Sequence, residues 1–229
     1  MTITTEQALY KLQTWFSPSF PVGAYTYSHG LENAFEAWLV GTVDEACDWI
    51  GDIVSSGNGF ADTVFLALAH EAAAAGDSKQ LAAIAEYAAA FAGTAELRLE
   101  SEAQGAAFID VIDKVEPVNA LEELMKIWSG PYAYCVVVGA CAGGVGIDKR
   151  ATCTVYLHGF VANLSSALVR IVPLGQTDGQ RIIARLGETV ERAVSKALET
   201  SLEDLSTSTL MVDLSSMKHE TQYTRLFRS

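Results

Sequence analysis

The residues of this chain with the widest chemical reach are four histidines and four cysteines. Their spacing decides what they can do together. Cys153 and His158 stand five apart, which on a helix turns them about 140° from each other, and Cys135 and Cys141, six apart, miss by about 120°. Neither pair makes a local metal site. No C-x-x-C or H-E-x-x-H occurs, and no serine, threonine or cysteine sits in a nucleophile motif. The run from Gly143 to Arg150 (GGVGIDKR) has the glycines and the lysine of a phosphate loop without their order. It also joins two helical stretches, whereas a phosphate loop follows a strand. Two pairs do share a helix face, His29 with Glu32 and His219 with Tyr223. Both read as surface or contact residues rather than as an acid–base couple. The residues therefore offer no catalytic set, no metal site and no cofactor site.

Composition narrows the classes further. A net charge of −13 is the opposite of the basic footprint that nucleic-acid binding requires. With half its residues hydrophobic and 19% charged, the chain can bury a large core. Cys47, Cys135, Cys141 and Cys153 read as buried reduced thiols, and no basic start leads into an apolar run. Both features point to the cytoplasm.

The elements that must position any site are helices. From Ala151 to Val169 there is no Asp, Glu, Lys or Arg, and Val155, Tyr156, Phe160, Val161, Leu164 and Leu168 recur at helical spacing among small residues. His158, Asn163 and several hydroxyls make a core position preferable to a membrane span. A second uncharged stretch, Ile127 to Ile147, is cut by Gly130-Pro131, and Pro131 suits the first turn of the helix that follows. Thr4 with Gln7 and Thr42 with Glu45 read as capping boxes, and Asp77 as an N-cap. A helix over YSHGLENAFEAWLV places Ser28 at its N-cap and turns Leu31, Phe35, Trp38 and Leu39 inward. Beyond Pro173 and Gly175 lies a polar corner, Gln176-Thr177-Asp178-Gly179-Gln180. There Thr177 has capping spacing to Gln180, ahead of one amphipathic helix running to Thr200. Ser201 to Ser208 reads as a linker. The sequence predicts an all-α, single-domain bundle of about nine or ten helices around the two apolar ones, with a domain over residues 1–208 and a distinct tail over 209–229.

Three long segments carry a resemblance. SPSFPVGAYTYSHGLE (Ser17 to Glu32), YLHGFVANLSSALVRIVPLGQTDGQR (Tyr156 to Arg181) and MKHETQYTRLFRS (Met217 to Ser229) resemble, in order, the signature blocks of the UreF family of urease accessory proteins. GTAELRLES (Gly93 to Ser101) is a weaker fourth match. His29 stands where the family more often has Gln or Asn, and Ala95 where a charged residue is usual. The resemblance implies an all-helical, dimeric, non-enzymatic assembly factor. Such a protein binds the accessory protein UreD (UreH in some organisms) and recruits the GTPase UreG. The complex then acts on the urease apoprotein, so that nickel reaches its active site, and GTP hydrolysis is modulated on the way.

On that resemblance the partner-binding residues are expected in three groups. Tyr27, Ser28, His29 and Glu32 form the first, with turn packing and an N-cap as the alternative use. Gln176, Thr177, Asp178 and Gln180 form the corner, with helix capping, by Thr177 above all, as the alternative. His219, Glu220, Gln222, Tyr223, Arg225 and Phe227 form a tail that orders on meeting UreD, with docking on its own domain as the alternative. Arg225 also invites an arginine-finger reading toward UreG. A second class, a helical metal- or small-molecule-binding enzyme, is distinguished by a closed pocket of converging His and Cys side chains. Surface-exposed motifs without a pocket distinguish the adaptor.

Overall fold

A computed structural model describes residues 3–229. Among them it holds twelve α-helices, one 3-10 turn and no strand. The first half of the chain is α1 (Thr5–Trp15), the 3-10 turn Ala24–Thr26, α2 (Leu31–Glu36), α3 (Val43–Ser56), α4 (Asn58–Ala75), α5 (Ser78–Phe91) and α6 (Ala95–Val115). The second half is α7 (Asn119–Ile127), α8 (Tyr134–Val145), α9 (Lys149–Ile171), α10 (Gln176–Arg185), α11 (Gly187–Ala197) and α12 (Leu210–His219). No helix among the described residues is long and apolar enough to cross a membrane.

Local signals set most of the starts. Thr4 and Thr42 close reciprocal capping boxes with Gln7 and Glu45, while Asp77, Thr94 and Asp148 each accept an N–H from the first turn of their helix. Gly76 and Gly146 end α4 and α8 in the left-handed conformation that glycine adopts without strain.

The pair that sits deepest is α4 with α8, where the sequence pointed to α8 with α9. Gly139 and Gly143 explain the change. A Cβ built on Gly139 would lie 2.3 Å from the Leu66 carbonyl oxygen, and one on Gly143 would lie 2.2 Å from that of His70. Two glycines four residues apart thus bring the backbones of α8 and α4 into contact. His70 adds a 2.7 Å bond between its Nε2 and the Ile147 carbonyl. Helix α9 packs on α4, α10 and α11, but it is not enclosed all round: His158 and Ser166 are exposed and Ala162 and Asn163 half-buried. All four cysteines are buried and free.

Several expectations need correction. The second helix begins at Leu31, not near Ser28, because His29 and Gly30 take positive φ values of 57° and 78°. It ends after Glu36 in a 6→1 bond from the Leu39 N–H to the Ala34 carbonyl. Trp38 occupies the left-handed position of that ending, φ 60°, so its ring leaves the inner face and stands 91% exposed. Pro131 lies outside α8, which starts at Tyr134. The amphipathic stretch expected to run unbroken to Thr200 bends at Leu186-Gly187, making two helices. That break and α12 within the tail raise the count above nine or ten.

The α4–α8 contact makes a direct prediction. Gly139→Ala is expected to lose about 1–3 kcal/mol of stability, because the added methyl can only be accommodated by moving backbone. Gly187→Ala, whose Cβ meets nothing within 4 Å, is expected to be neutral or slightly stabilising. Thermal unfolding of the two variants side by side checks this, and equal shifts in Tm would contradict it.

Candidate functional site

Two carboxylates on different helices organise the site. Glu32 opens α2 and Glu96 opens α6, and both are buried. His219, the last residue of α12, is completely buried between them. Its Nε2 is 3.1 Å from Glu32 Oε2, and its Nδ1 is 2.8 Å from Glu96 Oε2. A neutral imidazole has one N–H, so it can donate to only one of two flanking carboxylates. With both carboxylates ionised, the two contacts are satisfied together only when the ring carries an N–H on each nitrogen. Glu32 also accepts the backbone N–H groups of Leu226 (2.7 Å) and Phe227 (2.9 Å). Glu96 accepts from the Arg225 guanidinium at 3.0 Å. Burial pushes the Glu96 carboxyl above its ordinary range, against the pull of His219 and Arg225.

The fit between tail and domain depends on Gly30. With φ at 78°, it lets the Ser216 backbone approach so closely that a Cβ would sit 2.9 Å from the Ser216 nitrogen. Beside it the Ser216 hydroxyl shares a 2.7 Å bond with Thr94 Oγ1. The last residues extend the contact. Ser28 donates to the Ser229 carbonyl from its N–H (2.6 Å) and its hydroxyl (2.5 Å), and the Ser229 hydroxyl donates to Glu100 at 3.0 Å. The Arg228 N–H reaches the Thr26 carbonyl at 2.8 Å, and its guanidinium lies 5.7 Å from the Tyr27 ring centre. Arg170, near the end of α9, stacks 4.3 Å over the Phe227 ring and donates to the Tyr25 carbonyl at 2.6 Å. Asn33 donates to Gln222 at 3.2 Å.

So two of the three expected groups meet. Tyr27, Ser28, His29 and Glu32 lie at or beside the buried floor against which His219, Gln222, Arg225 and Phe227 are set. In this structure the tail is docked on its own domain. Arg225 is paired with Glu96 rather than extended as a free finger, whereas Tyr223 is fully exposed and Glu220 lies outside. His29 and Glu32 do not share a helix face, nor do His219 and Tyr223, because one member of each pair lies outside the helix. The third group stands apart. Asp178, not Thr177, caps α10: its Oδ2 accepts the Gly175 N–H at 3.0 Å and its Oδ1 takes Arg181 at 2.6 Å. The Gly175 N–H, with Arg181, holds the Asp178 carboxyl below its usual range. Gln176, Thr177 and Gln180 are exposed. Sequence reasoning did not single out Glu96, Arg170, Thr94 or Ser216. Glu96 and Arg170 lie inside quoted blocks, but nothing local marks them as the tail's seat.

The turn from Ser17 to Tyr25 forms one wall of a cavity of about 600 Å³ beside α9. Phe16, Phe20, His29, Asp62, Glu100 and Tyr156 are among its walls. Neither ring nitrogen of His29 has a hydrogen-bond partner, and its Nδ1 is 3.4 Å from Glu100. Tyr156 donates to Asp62 at 2.9 Å, and burial pushes Asp62 up to about 6 despite that bond. Among the described residues no group of three or more His, Cys, Asp or Glu is placed to hold a metal ion.

Comparison with known proteins agrees with the signature blocks. The sequence model of the UreF family matches residues 40–187. A urease accessory protein UreF of Rhodopseudomonas palustris is 46% identical over 229 residues, covering 99% of this chain and 94% of the relative. One of Bradyrhizobium diazoefficiens is 42% identical over 222 residues (97% and 92%), and one of Granulibacter bethesdensis 43% identical over 226 residues (99% and 96%). These alignments extend past both ends of the family-model match, and so take in the turn and the tail.

Two measurements follow. Asp62 binds a proton in the folded chain up to about pH 6, above its ordinary 3.8, so its contribution makes stability fall as pH rises between those values. Asp62→Asn is expected to raise stability at pH 7.5 by on the order of 2 kcal/mol and to leave it unchanged near pH 3.5. Denaturant midpoints at the two values check the sign. Gly30→Ala is expected to lift α12 from its seat while the bundle stays folded. Trypsin cleavage after Lys218 and Arg225 should then accelerate with no loss of helical circular dichroism, and an unchanged cleavage rate would contradict the fit.

Proposed function

Because the chain belongs to the UreF family of urease accessory proteins, we propose that it works in the cytoplasm as a non-catalytic adaptor in urease maturation. On this reading it binds UreD (UreH), recruits the GTPase UreG, and lets the assembly load nickel into the urease apoprotein while GTP hydrolysis is modulated. It does so as a homodimer.

One observation carries the partner reading beyond the family name. Helix α12 is inverted relative to an ordinary amphipathic helix. It buries Ser215, Ser216 and His219, with Val212, and exposes Leu210, Met211, Leu214 and Met217. Beyond the helix Tyr223 and Leu226 are exposed as well. Contiguous exposed apolar surface marks interaction sites, and this one sits on the segment whose sequence resembles a family signature. Tyr223 and Leu226 supply the contact area, while His219, Arg225 and Phe227 hold the segment in position. The corner residues Gln176, Thr177 and Gln180 form a second, separate contact surface on α10.

The cavity beside Asp62 is the observation behind the other reading, a helical protein that binds a small molecule and acts on it. It is a partly open, partly polar space of a size that such ligands occupy.

Co-purification with UreD and UreG separates the two. The full chain is expected to form the ternary complex, and the chain truncated before Met217 is expected to fail. Leu210→Asp changes a position that is 70% exposed, so it is expected to weaken the complex by tenfold or more, about 1.4 kcal/mol, without lowering Tm. A full chain that binds neither folded partner would contradict the adaptor reading and direct attention to the cavity.

A further inference from the structure

The cluster that seats the tail is a charge-balanced set whose balance depends on one titratable proton. Glu32 and Glu96 when ionised contribute two negative charges, and Arg225 with a His219 protonated on both nitrogens balances them with two positive ones. All but Arg225 are buried. If His219 loses a proton, one of its nitrogens presents a lone pair to a carboxylate oxygen about 3 Å away. The buried set then carries a net negative charge that no other tail residue neutralises, and uncompensated buried charge is strongly unfavourable. Releasing the tail removes the penalty, because water can then solvate both carboxylates.

We propose that His219 makes the docking of the tail proton-dependent: the C-terminal segment is a latch, closed while His219 is an imidazolium and opened when it is neutral. This rests on the chain's own contacts and holds whichever partner the tail meets.

The surroundings favour that response. Helix α12 is packed on α2 and α6. From α2 the titratable group facing the junction is Glu32, with His29 just before the helix. From α6 they are Glu96 and Glu100, the latter bonded to Ser229, to Gln104 at 3.3 Å, and lying 3.4 Å from His29. From the tail itself come Asp213, Lys218, Glu220 and Arg225. Burial pushes the Asp213 carboxyl up, and neutral or ionised it adds no positive charge. Lys218 and Glu220 are exposed. Among these groups His219 alone touches both carboxylates, and imidazole is the side chain whose ordinary charge change falls near neutral pH. Its release would free the Leu226 and Phe227 N–H groups from Glu32, an event visible at single amides.

The test is amide hydrogen exchange on the full chain, read at Leu226 and Phe227 and corrected for the intrinsic pH dependence of exchange. Protection at these amides is expected to fall by about tenfold or more between pH 5.5 and pH 8.5, while amides inside α4 and α8 keep theirs. The His219 ring nitrogens, followed by NMR in the same samples, are expected to titrate over the interval in which protection is lost. His219→Gln, which can donate but cannot titrate, is expected to give a flat pH profile. Protection that stays constant while the His219 ring titrates would overturn the proposal. A wild-type slope retained in His219→Gln would overturn it equally. The ring and amide signals of the unmodified chain decide the matter even where the variant tail does not dock.

Discussion

Carboxylates taken out of water must find donors, and the donors to Glu32 and Glu96 come from the end of the chain. His219, Arg225 and the N–H groups of Leu226 and Phe227 fill that need across separations of 123 to 195 residues. The cost of leaving either carboxylate unpaired fixes where the tail lies. That constraint orders the neighbouring contacts. Gly30 must be bare so that Ser216 can approach, Thr94 meets the Ser216 hydroxyl, and Arg170 closes over Phe227. The tail is thus placed by directional polar contacts rather than by the bulk of a hydrophobic face. This is why α12 can turn leucine and methionine side chains to solvent and still be held.

The bundle supplies the rigidity that such contacts need. Gly139 and Gly143 let α8 lie directly on α4, and Gly105 gives the Tyr132 carbonyl the same close approach to α6. Helix α6 carries Glu96 and Glu100 at one end and is packed on α8. Helix α9 delivers Arg170 to the same side and frames the cavity with the Ser17 to Tyr25 turn. A seat assembled from α2, α6 and α9 is only as well defined as the packing of those helices. The backbone-close glycines therefore bear on the site although they are far from it in sequence.

What was legible in the sequence is what local chemistry determines. The all-helical class, the capping at Thr4, Thr42 and Asp77, and the breaks at Gly76 and Gly146 all follow from neighbouring residues. Errors arose where a distant group decided the outcome or where two local signals competed. Thr177 has capping spacing, yet the Asp178 carboxylate, one residue on, reaches the Gly175 N–H and takes the role. Trp38 fits the apolar stripe of a longer helix, but α2 terminates first and turns it outward. The tail's composition made it look exposed, yet His219, Arg225 and Ser229 each meet a buried carboxylate. His219 is the clearest case: nothing within ten residues of it indicates that its partners are Glu32 and Glu96. The signature blocks pointed to the right segments without revealing that two of them meet.

The central claim is that the tail holds itself to its domain through its polar side and offers its apolar side to another protein. Site-specific photocrosslinking from position 210 tests it most directly, with a crosslinking residue in place of Leu210, which is 70% exposed, in the full chain, mixed with folded UreD and UreG. The account predicts an intermolecular adduct to UreD and no adduct within the chain. Crosslinks confined to the chain's own helices, or an absence of adducts in a complex that has formed, would contradict it.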